Sequence, residues 1–550
     1  MKIRSPLSSF VARFVMPSLL VISSALALLA PISVRATTFI VNSTGDSGPG
    51  TLRQAILDAN AQTMTGEFLC SGHQISFAIP GASVHTIQPL SALPPLLITI
   101  NLDGFTQPGA VPNSAAQGNN SVLAIELDGS LAGNADGLLL SSSTCTAGGS
   151  VIRGLAINRF EGAGIRLETF CTPPMICPVG NVLIFGNFIG TDVTGSIAMG
   201  NGFGATLRPG IALGSNSTRT IIGDQVLEEG GPNDPIAADH NVISGNALDG
   251  ILLDSTPPAA VSFDQRIRNN TIGLNAAGTA ALPNGRHGIY AAIASDATRV
   301  QDNLIAGNLG DGVRILGNVS PSNILRNGIG IGENGVAFGN GGDGVHVGGA
   351  SSQMTLGFRY TLSPFESASI ANNGGAGVYV DDTSTLDTVV PSVAGNAGIA
   401  IDLAPGGITP NDDLDADTGP NELLNAPILT GASVDAALAG TITGTLNTTP
   451  GVPTEIHFYV SDGCGPGGNG EAQHVVSDGQ IPVSATATGD ALGNATFSAA
   501  APFLPVGKFA SAQSRRFSSI AIPPALEVSE LSACVLVTSA VDLIFKDGFD

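Results

Sequence analysis

Residues 303–315 read Asn303-Leu-Ile-Ala-Gly-Asn308-Leu-Gly-Asp-Gly312-Val-Arg-Ile315, and this phrase returns through the middle of the chain. Its general form is Asn-x-(Ile/Leu)-x-Gly-Asn followed by Gly-(Ile/Val)-x-(Ile/Leu/Val). It recurs as Asn181-Val-Leu-Ile-Phe-Gly-Asn187 and as Asn241-Val-Ile-Ser-Gly-Asn246 with Gly250-Ile-Leu-Leu253. Looser copies stand at Asn340 with Gly344-Val-His-Val347, at Asn373 with Gly377-Val-Tyr-Val380 and at Asn396 with Gly398-Ile-Ala-Ile401. Each copy couples a short alternating apolar strand to an Asn/Gly turn, and a repeat of this length is the mark of a solenoid. The glycine landmarks Gly288, Gly312, Gly344, Gly377 and Gly398 are 24, 32, 33 and 21 residues apart. Three short strands and three turns need roughly that many residues per coil, and the longer steps hold loops inserted at one corner. The reading is an all-β fold: a right-handed parallel β-helix of the pectin-lyase-like kind. In such a stack, asparagines at the same turn of successive coils hydrogen-bond to one another as a ladder.

The rest of the composition agrees. The chain has 550 residues, 72 Gly, no Trp and 12% charged residues. It is poor in the Glu and Lys that long helices use, and rich in residues that accept tight turns. Lys2, Arg4 and Arg13 precede an apolar stretch from about Val15 to Val34 that ends Val34-Arg35-Ala36. This predicts a signal peptide over residues 1–36, and no later segment is long enough to span a bilayer. Removing its four cations leaves 17 Lys+Arg against 44 Asp+Glu, a net charge of −27. A chain so acidic is repelled by nucleic acid and anionic lipid. All six cysteines lie in the exported part, which predicts disulfides. Cys171 and Cys177 enclose a short loop, Cys464 and Cys534 share the C-terminal region, and Cys70 with Cys145 remain as the third pair.

Outward from the repeat, Thr51-Leu-Arg-Gln-Ala-Ile-Leu-Asp-Ala-Asn60 has a capping-box start and one apolar face, so residues 51–60 predict a helix closing the open end of the solenoid. The β-helix is expected over 37–404. Residues 405–424 are acidic and rich in turn formers and read as a linker. Residues 425–538 hold short strands among turns and fit a small β-sandwich, and 539–550 form a tail.

These phrases resemble a known group. Thr38 to Asn60, with its Gly-x-Gly-Thr-Leu-Arg-Gln-Ala-Ile core, is similar to the N-terminal segment of bacterial secreted right-handed parallel β-helix repeat proteins, the CSLREA-domain group, whose adhesin-like relatives include polymorphic outer-membrane proteins. Phe105-Thr-Gln-Pro-Gly-Ala-Val-Pro-Asn113, Phe188-Ile-Gly-Thr-Asp-Val-Thr-Gly195, Asp415-Ala-Asp-Thr-Gly-Pro-Asn421 and Ser529-Glu-Leu-Ser-Ala-Cys534 resemble it too. Gly50-Thr-Leu-Arg-Gln-Ala55 stands where the group's Cys-Ser-Leu-Arg-Glu-Ala would be. Phe545-Lys-Asp-Gly-Phe-Asp550 is similar to a tail on many exported proteins of Gram-negative bacteria. The resemblance implies a secreted or outer-surface location in such a bacterium.

For chemistry the repeats offer Asp249, Asp311 and Asp343, each just before a Gly-(Ile/Val) strand, the adjacent Asp381-Asp382, and the Arg286-His287 pair. An Asp in that place more often caps its own turn. No serine-hydrolase elbow, Cys/His metal spacing or phosphate loop is present, so no catalytic residue is assigned. Alternate Asp413, Asp415 and Asp417 in one loop point to a possible hard cation such as Ca²⁺, against a solvated hinge as the bland alternative. The function expected is a cell-surface or extracellular binding and adhesion scaffold for carbohydrate or host-surface ligands. The alternative is a polysaccharide lyase or glycoside hydrolase acting on acidic glycans. The two are separated by whether Asp residues cluster with Arg or Lys on adjacent coils.

Overall fold

The computed structural model describes residues 36–62, 72–142, 148–169, 179–214, 217–224, 236–254, 262–292, 295–296, 298–317, 322–349, 351, 354–357, 370–381, 384, 386–389, 392–479, 481–517 and 526–539. The strands of the repeat region stack into three long parallel sheets. The first face runs from Thr38–Val41 to Leu386–Val389 in eleven strands, the second from His85–Ile87 to Val393–Ala394 in ten, and the third from Leu138–Ser142 to Ile401–Leu403 in nine. The chain visits first, second and third face in turn and then repeats, which makes a three-sided parallel β-helix. A four-stranded ribbon from Val179–Gly180 to Ser295–Asp296 fills the corner between third and first faces.

The repeated glycine and the residue after it explain the stacking. Ile165, Ile211, Ile251, Ile289, Val313, Val345, Val378 and Ile401 are in register on the third face and at most 1% exposed. Each coil thus lays a β-branched side chain on the one below, which suits these residues' stiff rotamers. Before them, a Cβ on Gly312 would lie 2.6 Å from Ile329 Cγ2 and 2.7 Å from the Gly344 carbonyl oxygen. Only glycine lets the coils approach so closely.

Two asparagine ladders run along the corners of the second face. One links Asn187, Asn241, Asn270, Asn303 and Asn327, each Nδ2 donating to the next Oδ1 at 2.8–3.3 Å. The other links Asn201, Asn246, Asn284, Asn308, Asn340, Asn373 and Asn396 at 2.9–3.1 Å. In Asn241…Asn246 and Asn303…Asn308 the phrase therefore spans one strand from ladder to ladder. The copy Asn181…Asn187 does not: Asn187 belongs to the first ladder and Asn181 is a corner residue at φ 55°. The last copy also slips, because the strand is Ile401–Leu403 and Ala400, not Gly398, occupies the glycine position beside Gly377. On three coils a small hairpin separates the ladders, closed by the bridges Thr191–Ala198, Leu274–Ala281 and Ile331–Ala337. A strap, residues 104–122, crosses these hairpins outside the second face. Its Asn119 amide donates to Ala276 O (2.7 Å) and its Gly118 amide to Glu333 Oε1 (3.0 Å).

Both ends of the solenoid are covered. The helix Leu52–Asn60, capped by Thr51, buries Leu52, Ala55, Ile56 and Ala59 against the first strands. At the other end two mainly antiparallel sheets, with one parallel pairing between Ile428–Val434 and Thr538–Ser539, enclose Ile442, Ile456, Phe458, Phe497 and Ala512 as a small sandwich. One sheet, built on Pro453–Ser461 and Phe509–Phe517, turns its other side to the last coil, where Tyr459, Ala472 and Leu531 join the solenoid's own buried cluster. Val393 and Ala472 exchange backbone hydrogen bonds, Glu471 Oε2 accepts Gly395 N–H at 2.6 Å, and Glu530 accepts Leu403 N–H and Thr409 N–H at 3.0 and 2.9 Å. The Val393, Gly395 and Leu403 N–H groups are donors that a further coil would have satisfied. Cys464 and Cys534 form a disulfide in this region. Cys70, Cys145, Cys171 and Cys177 lie outside the described residues, as does most of 1–36 and the tail. The described residues from 36 to 539 pack as one compact unit, and the acidic 405–424 segment is tied into it by Thr409, Asp412 and Asp415.

Candidate functional site

Each third-face strand alternates in, out, in, so its middle residue faces outward. On five successive coils those residues are Tyr290, Arg314, His346, Tyr379 and Asp402, in register and about 4.8 Å apart. They stand two places after the repeated glycine, or after Ala400 in the last coil. A second row, at the residue just before that glycine, holds Asp249, His287, Asp311 and Asp343.

The two rows interlock through the aspartates. Asp249 Oδ1 accepts His287 N–H at 3.1 Å, Asp311 Oδ1 accepts Asp343 N–H at 2.8 Å, and Asp343 Oδ1 accepts Ala376 N–H at 2.8 Å. One oxygen of each carboxylate thus ties its coil to the next. The other turns toward the outward row: Asp311 Oδ2 meets Arg314 Nη1 at 2.8 Å, and Asp343 Oδ2 meets His346 Nδ1 at 3.0 Å. Asp249 pairs with Arg286 through both oxygens, and that guanidinium lies 4.5 Å over the Tyr290 ring. His287 Nδ1 accepts Asp311 N–H at 2.9 Å, which places the ring's single proton on Nε2. Burial agrees, holding the His287 pKa down.

His346 is 7% exposed, its ring 4.9 Å from Tyr379, and its buried Nε2 meets no partner among the described residues. Asp402, next in the row, is pushed up to about 6 by burial, helped by Asp343 and opposed by Gly407 N–H. Tyr379 is raised by burial and by Asp381, Asp402 and Asp343. The row therefore joins an imidazole oriented by a carboxylate, a phenol, a guanidinium and a carboxyl that titrates near neutrality: a set able to stack on sugar rings, hold acid groups and move protons.

A pH dependence follows. Because folding raises the Asp402 pKa above its ordinary 3.8, its contribution to stability is full below about pH 4 and is lost as pH rises through about 6. Asp402→Asn should flatten this limb and exceed wild type at pH 7.5 by on the order of 1–2 kcal/mol. Denaturant midpoints measured between pH 4.5 and 7.5 check it, and parallel curves for the two proteins would refute it.

Of the residues singled out in the sequence, Asp249, Arg286, His287, Asp311 and Asp343 come together here. Asp381 lies two residues beyond Tyr379, near enough to act on it, at the opposite end of the strand from the aspartate row, and Asp382 lies outside the described residues. Tyr290, Arg314, His346, Tyr379 and Asp402 were not anticipated, although their fixed offset from the repeated glycine was readable. In the acidic segment Asp415 and Asp417 do approach each other, but their third member is Asp412; Asp413 is exposed and outside the group. Among the described residues Asp417 Oδ1 meets no hydrogen-bond partner. Asp415 Oδ2 is already met by Arg516. Among the described residues, no helix is long and apolar enough to cross a membrane.

No family model matches the chain, and no curated protein matches it. Solved structures with some likeness include a mutant of the periplasmic alginate epimerase AlgG, at 12% identity over 60% of this chain and 71% of that one with a TM-score of 0.29. Another is the Azotobacter vinelandii mannuronan C-5 epimerase AlgE4 A-module, at 14% identity over 67% of this chain and 98% of that one with a TM-score of 0.27. Likeness this distant says nothing of chemistry. The chain is a parallel β-helix closed by a small antiparallel β-structure.

Proposed function

We propose that this is an exported scaffold that binds carbohydrate along its third face, with Tyr290, Arg314, His346 and Tyr379 as the contact row. The observation that carries this reading is the register: aromatic, cationic and imidazole side chains repeat on consecutive coils at one outward position. A linear glycan laid along the axis would meet them one after another, its rings on the tyrosines and its acid groups at Arg314. Export is supported by the basic and apolar start of the chain and by the Cys464–Cys534 disulfide. A glycan array with wild type and with Tyr290→Ala/Tyr379→Ala tests the reading. Wild type should retain acidic glycans and the variant should lose about tenfold or more in affinity, each ring being worth about 1 kcal/mol or more. Equal retention by both proteins would sink it.

A second reading, cleavage of acidic glycans, is favoured by His346, Tyr379 and Asp402 standing side by side, because a base, an acid and a group titrating near pH 6 are what proton transfer needs. Release of reducing ends or of unsaturated product by wild type, abolished by Asp402→Asn with glycan binding retained, would establish it over binding alone.

We also propose that Asp412, Asp415 and Asp417 hold Ca²⁺ as a structural brace, with no part in either reaction. Added Ca²⁺ should raise the melting temperature by a few degrees, for an ion bound at about 100 times its Kd, and Asp417→Asn should remove the effect. A melting temperature indifferent to Ca²⁺ and to chelator would dismiss the brace.

A further inference from the structure

The first face carries an arrangement that neither row of the third face uses. The chain's three lysines are Lys2, Lys508 and Lys546, so arginine is the only Lys/Arg cation along the solenoid. Five of these arginines, Arg219, Arg266, Arg268, Arg299 and Arg326, fall on four successive coils of this face and its two corners. Arg266 and Arg299 are directly opposite on neighbouring strands. Arg266 and Arg268 lie on the same outward side, with fully buried Ile267 between them, about 7 Å apart along the strand.

Like charges set opposite one another across strands repel, and two aspartates hold this group together. Asp264 has Arg299 Nη1 at 2.7 Å, Arg266 Nε at 3.4 Å and Arg219 Nε at 3.9 Å. Asp302 takes Arg326 through Nε and Nη2, both at 2.6 Å, and Arg268 Nε at 2.6 Å. Asp224 adds a third carboxylate, 3.5 Å from Arg268. Among the described residues, five guanidinium groups thus face three carboxylates in a chain whose net charge is −23. A guanidinium has five N–H donors, and a bidentate carboxylate uses two. Arg266 Nη1 and Arg326 Nη1 meet no acceptor among the described residues, and their side chains remain 24% and 23% exposed. The aspartates therefore fix the forks in place without using all their donors, and the ordering that a ligand would otherwise impose is already done.

The geometry points to a second binding site, on the first face, for an acidic polysaccharide whose repeated carboxylate or sulfate groups pair with Arg266, Arg299 and Arg326. A linear polymer crossing the face obliquely suits it, because Arg266 and Arg299 are one coil apart along the axis and Arg326 stands on the next coil at the opposite corner, beyond Leu325. Duplex nucleic acid and anionic bilayers suit it poorly, since both would also meet the acidic remainder of the surface. This site does not depend on the third-face reading.

The test is binding of the full-length chain to immobilised polygalacturonate, heparin, dextran and duplex DNA at 50 and 300 mM NaCl. Wild type should bind polygalacturonate or heparin and not dextran, and weaken about tenfold or more at the higher salt. Polygalacturonate against heparin tells carboxylate from sulfate. Arg266→Gln/Arg326→Gln should lose about tenfold or more, whereas Leu492→Ser, at an exposed turn of the C-terminal sheets, should leave this salt-sensitive binding in place. To avoid reliance on a variant that fails to fold, wild type can be treated with phenylglyoxal with and without polymer. Protection of Arg266 and Arg326, read by mass spectrometry, is expected. The site is overturned if wild type binds neither polyanion, if DNA binds as tightly as the glycans, if the folded glutamine variant binds as wild type does, or if the polymer leaves both arginines equally reactive.

Discussion

Asn246→Ala is expected to destabilise the protein by about 3–5 kcal/mol, more than most single truncations of a polar side chain. Asn246 is 1% exposed. Its Oδ1 accepts from Asn201 N at 3.2 Å and Asn201 Nδ2 at 3.1 Å, and its Nδ2 donates to Ile189 O at 3.1 Å and Asn284 Oδ1 at 3.0 Å. Alanine leaves the buried Asn201 N–H without its partner, at about 1–3 kcal/mol where no water enters, and strips one hydrogen bond each from Asn201 Nδ2, Ile189 O and Asn284 Oδ1, which keep Ile157 O, Ser244 N–H and the residue 246 N–H. Asn246→Asp should fare no better, since it keeps the acceptor but sets a charge against the Ile189 carbonyl and the Asn284 oxygen. Urea denaturation of wild type and both variants checks this. A loss under about 1 kcal/mol for alanine would mean that the ladder is decoration on a stack held by its apolar interior alone.

Arg516→Ala is expected to cost a comparable amount, about 3–5 kcal/mol at neutral pH. The guanidinium lies between Asp415 and Glu422, and all three side chains are at most 10% exposed. Arg516 also donates to Thr449 Oγ1 at 2.8 Å. Its removal takes away the guanidinium that the buried Asp415 carboxylate shares with Glu422. Asp415 is already raised by burial against the pull of Arg516, so in the variant its carboxyl should take up a proton more readily and the deficit should shrink as pH falls toward 4. The triple change Asp415→Asn/Glu422→Gln/Arg516→Met should be less damaging than Arg516→Ala alone, because it removes the charges together. If the single variant matches wild type in a pH 7 denaturation, the cluster contributes nothing to folding.

The repeat phrase made the winding legible because each of its residues answers a constraint imposed by the neighbouring coil. Glycine allows close approach, the β-branched residue stacks, and the asparagine bonds to its counterpart. Its register was less legible. Asn181…Asn187 satisfies the pattern while lying one corner out of step, because an asparagine also suits a left-handed corner residue. The hairpins at 191–198, 274–281 and 331–337 hid the true spacing of Asn187 to Asn201, Asn270 to Asn284 and Asn327 to Asn340. The outward row was harder still. Tyr290, Arg314, His346 and Tyr379 share an offset but no residue type, and only alignment of the coils shows that they are neighbours. Asp415 illustrates the opposite failure: the sequence pairs it with Asp413 and Asp417 by spacing, whereas its strongest partner, Arg516, is 101 residues away.

The sheet laid over the last coil has a consequence for the molecule's dealings with its own copies. A parallel stack cut after Leu403 would expose strand edges, an apolar interior and in-register asparagines, the surface on which another coil grows. Two such ends could add to each other head to tail, and nothing in the geometry would stop the process at a dimer. Tyr459, Leu531, Glu471 and Glu530 close that end with antiparallel chain and carboxylates, which offer no continuing template. The C-terminal sheets thus keep the solenoid a discrete particle and not the first segment of a fibre.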